Sequence, residues 1–133
     1  MASNPAGVRP AAVVDPPFTA RRDAGVEWVV DAFGCAPDAA CSVDALGAVI
    51  DRLVRDLTLH PVAPPLWQTF EGGGITGMVL LSESHVTCHS FPETGFVAFN
   101  LYCCKPRTPW GWEAHLGELL GATRVVVREL IRG

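Results

Sequence analysis

The chain has 133 residues and a formal net charge of −4, enough for one domain with a real core but not for two. Its basic residues are scattered, with no Lys/Arg run to follow a phosphate backbone, which argues against a nucleic-acid binder, and no apolar run approaches the length of a membrane span. A charged segment followed by an apolar one is missing near the start, so a cytoplasmic protein is expected rather than a secreted one.

Hydrophobic residues make up 49% and charged residues 18%, the latter below the roughly 25% usual in soluble domains. So lean a polar surface predicts that a partner subunit covers part of it. The five cysteines, Cys35, Cys41, Cys88, Cys103 and Cys104, are odd in number and contain no CxxC pair, which argues against a disulfide framework and a structural zinc site. No metal is expected.

Residues 1–24 carry Pro5, Pro10, Pro16 and Pro17 and no helical or strand period, and are expected to be a flexible extension ahead of a domain over 25–133. Val26, Trp28, Val29, Val30 and Phe33 form an apolar run suited to a buried strand. Ser42 is a candidate N-cap, and Leu46, Val49, Ile50, Leu53, Val54 and Leu57 follow at helical spacing, predicting an amphipathic helix over 43–58 that His60-Pro61 closes. A strand is expected over 66–71, a turn at Gly72-Gly73-Gly74, a strand over 75–82 that continues as extended chain through 83–91, and a turn at Pro92 to Gly95. Alternation over 96–103 puts Phe96, Ala98, Asn100, Tyr102 and Cys104 on one face and Cys103 on the other. Thr108-Pro109 reads as the cap and first turn of a helix with Trp112, Leu116, Leu119 and Leu120 as its stripe and Gly121 as its stop. A last strand spans 125–131. The predicted fold is a two-layer α+β sandwich, a mainly antiparallel sheet with two helices on one face and the other face free for a partner or a ligand.

Reactive side chains concentrate at Ser82, Glu83, Ser84, His85, Thr87, Cys88 and His89. The run Ser82-Glu83-Ser84-His85-Val86-Thr87-Cys88-His89-Ser90-Phe91-Pro92-Glu93 resembles the core signature of the S-adenosylmethionine decarboxylase proenzymes in their short prokaryotic form. The likeness continues through Gly95, Asn100, Cys104 and the Trp112 helix to the valine-rich end, and reaches back more loosely through Gly25-Val26-Glu27-Trp28 and Cys35. It covers residues 25–133.

The resemblance implies a pyruvoyl enzyme that makes its own cofactor. The Ser84 hydroxyl would attack the Glu83 carbonyl, an ester would replace the amide, and loss of the serine α-proton would eliminate it. Hydrolysis then leaves a pyruvoyl group at the head of residues 84–133. By the same resemblance His89 is the processing base and Cys104 the proton donor to the substrate carbon, chemistry open to an imidazole and a thiol near neutral pH. Thr76 falls where the family carries a serine that aids processing, so its added methyl is a departure. Phe70 matches an aromatic that stacks on adenine, Glu93 a carboxylate that holds the ribose hydroxyls, and Phe91 lies where aromatics also occur. The implied substrate is S-adenosylmethionine, the product the aminopropyl donor of spermidine synthesis, and the implied assembly a homodimer with sites near the interface.

Each residue also has an ordinary interpretation. Ser84 alone would be an edge-strand serine, Phe70 and Phe91 core aromatics, Glu93 a turn residue, His85 structural, His60 a loop residue and His115 a solvated helix residue. Two alternatives are retained: a pyruvoyl decarboxylase of ornithine or arginine, which would have no use for Phe70 and Glu93, and an inactive regulatory homologue, which would not need Ser84, His89 and Cys104 together.

Overall fold

The structure is a computed structural model that describes residues 23–133; the expected extension lies outside these apart from its last two residues. Nine elements follow in order: β1 (Gly25–Phe33), α1 (Pro37–Ala40), α2 (Val43–Asp56), β2 (Leu66–Thr69), β3 (Ile75–Leu81), β4 (Ser84–Phe91), β5 (Phe96–Cys103), α3 (Trp112–Leu120) and β6 (Arg124–Arg132). The strands form a single antiparallel sheet in the order β2-β3-β4-β5-β1-β6.

The core lies between this sheet and the helices. From β1 come Val26, Trp28, Val30 and Ala32; from β4, Val86 and Cys88; from β5, Val97, Phe99, Leu101 and Cys103. These meet Leu46, Val49, Ile50 and Leu53 of α2 and Trp112, Leu116 and Leu120 of α3. Strict alternation along β1 and β5 sends the intervening Glu27, Val29, Asp31, Ala98, Asn100 and Tyr102 to the opposite face, as a one-sided sheet requires. On that open face, residues without a helical cover include Met78 and Leu80 of β3 and Leu130 of β6, all exposed. The two-layer α+β sandwich is therefore as expected.

Three local features differ. A short helix, α1, stands ahead of α2, with Pro37 in its first turn. The third helix begins after Gly111, not at Thr108. The intervening loop is held irregular by Trp110, whose indole Nε1 donates to the Asp56 carboxylate at 2.9 Å. His115 is only partly solvated: it stacks on Trp110 with ring centroids 4.2 Å apart and lies 3.7 Å from the Asp56 carboxylate. Ser42 caps α2 as expected, its Oγ accepting from the Ala45 N–H at 3.0 Å.

Candidate active site

The extended stretch expected through 83–91 is broken by a reversal. Leu81 pairs with Ser84, so Ser82 and Glu83 are the two turn residues of a tight β3–β4 hairpin. Both are tied to neighbouring chain. The Ser82 N–H donates to the His60 carbonyl at 2.9 Å, and the Glu83 carbonyl accepts from the Cys104 N–H at 2.9 Å. The second bond polarises the carbonyl next to Ser84, drawing electron density toward its oxygen.

Ser84 is the first residue of β4 and is buried, at 9% exposure. Its cross-strand partner is Cys103, also on the helix-facing side. The pairing sets the two side chains next to each other on one face, and the Arg107 charge acts on the same thiol. Burial pushes the Cys103 thiol up from its ordinary value, while the Ser84 hydroxyl and the Arg107 charge pull it back. Cys104, the next residue, is exposed beyond the end of β5. Glu83, Ser84, Cys103 and Cys104 thus make one cluster around the bond at which the sequence leads cleavage to be expected, the cleavage end for short.

A second cluster lies at the far end of the same hairpin. Thr76 and His89 face each other across β3 and β4, with the Thr76 Oγ1 3.2 Å from the His89 Nδ1. This leaves the His89 Nε2 available for a ligand or a proton. Around them opens a cavity of 520 Å³ lined by Phe70, Glu71, Thr76, His89, Phe91 and Glu93 among others, within the range of small-molecule sites. Phe70 and Phe91 are not core residues: they are 54% and 43% exposed, with Phe91 stacked on Phe96 at 5.7 Å. Phe70 sits in the turn after β2, where Gly72 and Gly73 take φ of 97° and 98°, a region costly for any other residue. A Cβ on Gly73 would also lie 3.1 Å from the Cys41 Cβ.

The fold does not bring the two clusters together within one chain. Ser84 and His89 are five residues apart on one strand, roughly 16 Å at about 3.3 Å per residue, and the odd separation sends them to opposite faces. Ser84 faces the helices; His89 faces the open side. Of the residues singled out in the sequence, Glu83, Ser84 and Cys104 belong to the cleavage end, and Thr76, His89, Phe70, Phe91 and Glu93 to the cavity. Sequence reasoning missed the contact of Cys103 and Arg107 with the cleavage end and Glu71 in the cavity wall. The position of Cys103 opposite Ser84 follows once the hairpin turn is known; Arg107 gives no local signal.

Among the described residues no cluster of side chains suits a metal ion, and no helix is long and apolar enough to cross a membrane. A family description, S-adenosylmethionine decarboxylase, matches residues 26–133. Among curated proteins, an S-adenosylmethionine decarboxylase proenzyme of Clostridium botulinum is 31% identical over 110 residues, spanning 82% of this chain and 94% of the relative. One from Thermoplasma acidophilum is 29% identical over 110 residues, spanning 82% and 83%. A second proenzyme of Halalkalibacterium halodurans is 41% identical over 81 residues, spanning 60% and 58%. Among solved structures, the adenosylmethionine decarboxylase of Aquifex aeolicus superposes with a TM-score of 0.72 at 22% identity, covering 85% of this chain and 93% of that one, a likeness of fold.

Proposed function

The chain belongs to the S-adenosylmethionine decarboxylase family, and from that premise we propose that it cleaves itself between Glu83 and Ser84 and then decarboxylates S-adenosylmethionine. The product would be S-adenosyl 3-(methylsulfanyl)propylamine, the aminopropyl donor for spermidine. The observation that carries this is the hydrogen bond from the Cys104 N–H to the Glu83 carbonyl, which prepares the bond before Ser84 for attack.

The residues present fit a pyruvoyl group generated from Ser84. In the precursor the Ser84 Oγ adds to the Glu83 carbonyl carbon, and the oxyanion that forms stays on the Cys104 N–H. The C–N bond then breaks and the Ser84 nitrogen takes up the proton, leaving an ester. His89 removes the serine α-proton, with Thr76 fixing its ring through Nδ1. A pyruvoyl group at position 84 would supply a ketone able to condense with the substrate amine and to take up the electrons released as carbon dioxide leaves. Cys104, exposed beyond the end of β5, returns a proton from its thiol to the substrate carbon.

The cavity suits the rest of the substrate. Phe70 and Phe91 offer two aromatic faces to an adenine ring and to a sulfonium, and Glu93 offers a carboxylate to paired hydroxyls. These groups support S-adenosylmethionine over ornithine or arginine, neither of which has a base or a ribose to fill them.

The separation of the clusters supports a homodimer in which one protomer's cleavage end works with the cavity of its partner. The uncovered open face, with Met78, Leu80 and Leu130 exposed, fits such a pairing. All five cysteines are free, as the reducing cytoplasm would keep them. The test is to incubate the processed protein with carboxyl-labelled S-adenosylmethionine and, separately, ornithine and arginine. Label release from the first alone is expected; release from ornithine or arginine alone, or from none, would overturn the assignment.

A further inference from the structure

The attack of Ser84 on Glu83 needs a group to take the hydroxyl proton. Within the chain His89 is five residues away on the opposite face, and in the pairing proposed above it is committed to the later removal of the serine α-proton. His85 also faces the open side, where its ring lies 5.7 Å from that of Tyr102. The ionisable side chain directly opposite Ser84 on the same face is Cys103. The two are directly paired across β4 and β5, which places their Cβ atoms within about 4.5–5.5 Å on one face, and both are buried.

Behind Cys103 stands Arg107. Its Nη1 donates to the Leu57 carbonyl at 3.1 Å, at the end of α2, which pins the loop after β5 against the helix layer. Its Nε is buried and has no partner among the described residues. A buried donor left unpaired costs free energy, and this one belongs to a cation whose charge favours the ionised form of the Cys103 thiol. It is an unspent interaction beside the serine to be activated, and negative charge arising there would use it.

Resting on self-cleavage at Glu83–Ser84, we propose that Cys103 is a catalytic residue of that cleavage, accepting the Ser84 Oγ proton as a thiolate, with Arg107 as the positioning residue that holds and stabilises the anion. The balance is closed. The thiolate takes the Oγ proton, the new O–C bond forms as the carbonyl π pair moves onto the Glu83 oxygen, and collapse of that oxyanion expels the Ser84 nitrogen. The nitrogen takes the proton back from the Cys103 thiol, so the thiolate is restored and one proton has moved from oxygen to nitrogen.

The charged and ionisable groups that act on the Cys103 thiol are Arg107 and Cys104, along with the Ser84 hydroxyl opposite it. Burial is the largest influence and pushes the thiol up from its ordinary value, so the thiolate is the minor form near neutral pH. A small fraction suffices, because each chain cleaves once. A base held above neutrality is also the stronger proton acceptor. Cleavage should therefore quicken by close to tenfold per pH unit on the acid side of this titration.

The experiment follows precursor loss on freshly translated full-length chain between pH 6.5 and 9.5, with thermal melting as a check of folding. Cys103→Ser keeps a small polar side chain that cannot ionise in this range, and should slow cleavage about 10²-fold and flatten the profile. Arg107→Gln should slow it and move the rise to higher pH, and Arg107→Lys should recover much of the loss. Wild-type rate and profile in a folded Cys103→Ser chain would overturn the inference. If that variant does not fold, an unshifted profile in Arg107→Gln does so instead. A wild-type chain that never cleaves would overturn the self-cleavage reading itself, which separates the two failures.

Discussion

Mixing two inactive variants should restore activity if each site is shared between subunits. Ser84→Ala removes the nucleophile and leaves the cavity untouched; His89→Ala does the reverse. Each alone should stay uncleaved. The distance sets the expectation, since roughly 16 Å and a sheet separate the two side chains within one protomer. In a one-to-one co-expression with random pairing, half the dimers are mixed. Each mixed dimer holds one site with Ser84 from the His89→Ala chain and His89 from the Ser84→Ala chain, and one site with neither. About a quarter of wild-type sites should therefore be intact, and half of the His89→Ala chains should be cleaved. Differently tagged chains resolved by denaturing gel give the readout, and in the mixed dimers purified through both tags every His89→Ala chain should be cleaved. Mixed dimers that remain wholly uncleaved would refute the shared site, and cleavage of His89→Ala alone would refute the role of His89.

Two further outcomes are expected. Glu93→Gln should leave self-cleavage intact and raise KM for S-adenosylmethionine roughly tenfold to a hundredfold, the worth of a charge-assisted hydrogen bond, measured by steady-state carbon dioxide release; an unchanged KM would remove Glu93 from the substrate site. Burial pushes the Cys88 thiol from 9.0 to about 11, so between these values the unfolded chain loses a proton that the folded chain keeps. Stability is then complete below the lower value and falls as pH rises, by about 2–3 kcal/mol near pH 11. Urea titrations should show this alkaline decline in the parent chain and a shallower one in Cys88→Ala.

The layer architecture was legible because its signals are local. Alternation in β1 and β5 and the helical stripe of α2 each follow from burying one face, and Ser42 capped α2 as its type predicts. The turn at Ser82-Glu83 was not, because hairpin turns of two residues usually announce themselves through glycine or asparagine at positive φ, and neither residue takes positive φ here. Missing that reversal hid the cross-strand pairing of Ser84 with Cys103, so the sequence placed Cys103 only on the face opposite Cys104. The start of α3 was misplaced because a long-range bond from Trp110 to Asp56 outweighs the local appeal of Thr108-Pro109. The candidate residues were all visible as a family resemblance, yet their division into two clusters depends on strand parity. Positions 84 and 89 differ by an odd number, which forces opposite faces once both lie on one strand.

The intact mass of the purified, fully incubated protein tests the central claim most directly. The expected result is two chains, residues 1–83 and a second chain beginning at position 84 whose mass is that of residues 84–133 with a pyruvoyl group in place of the serine. A single mass equal to the uncut 133-residue sequence, or a second chain that still begins with serine, would contradict it.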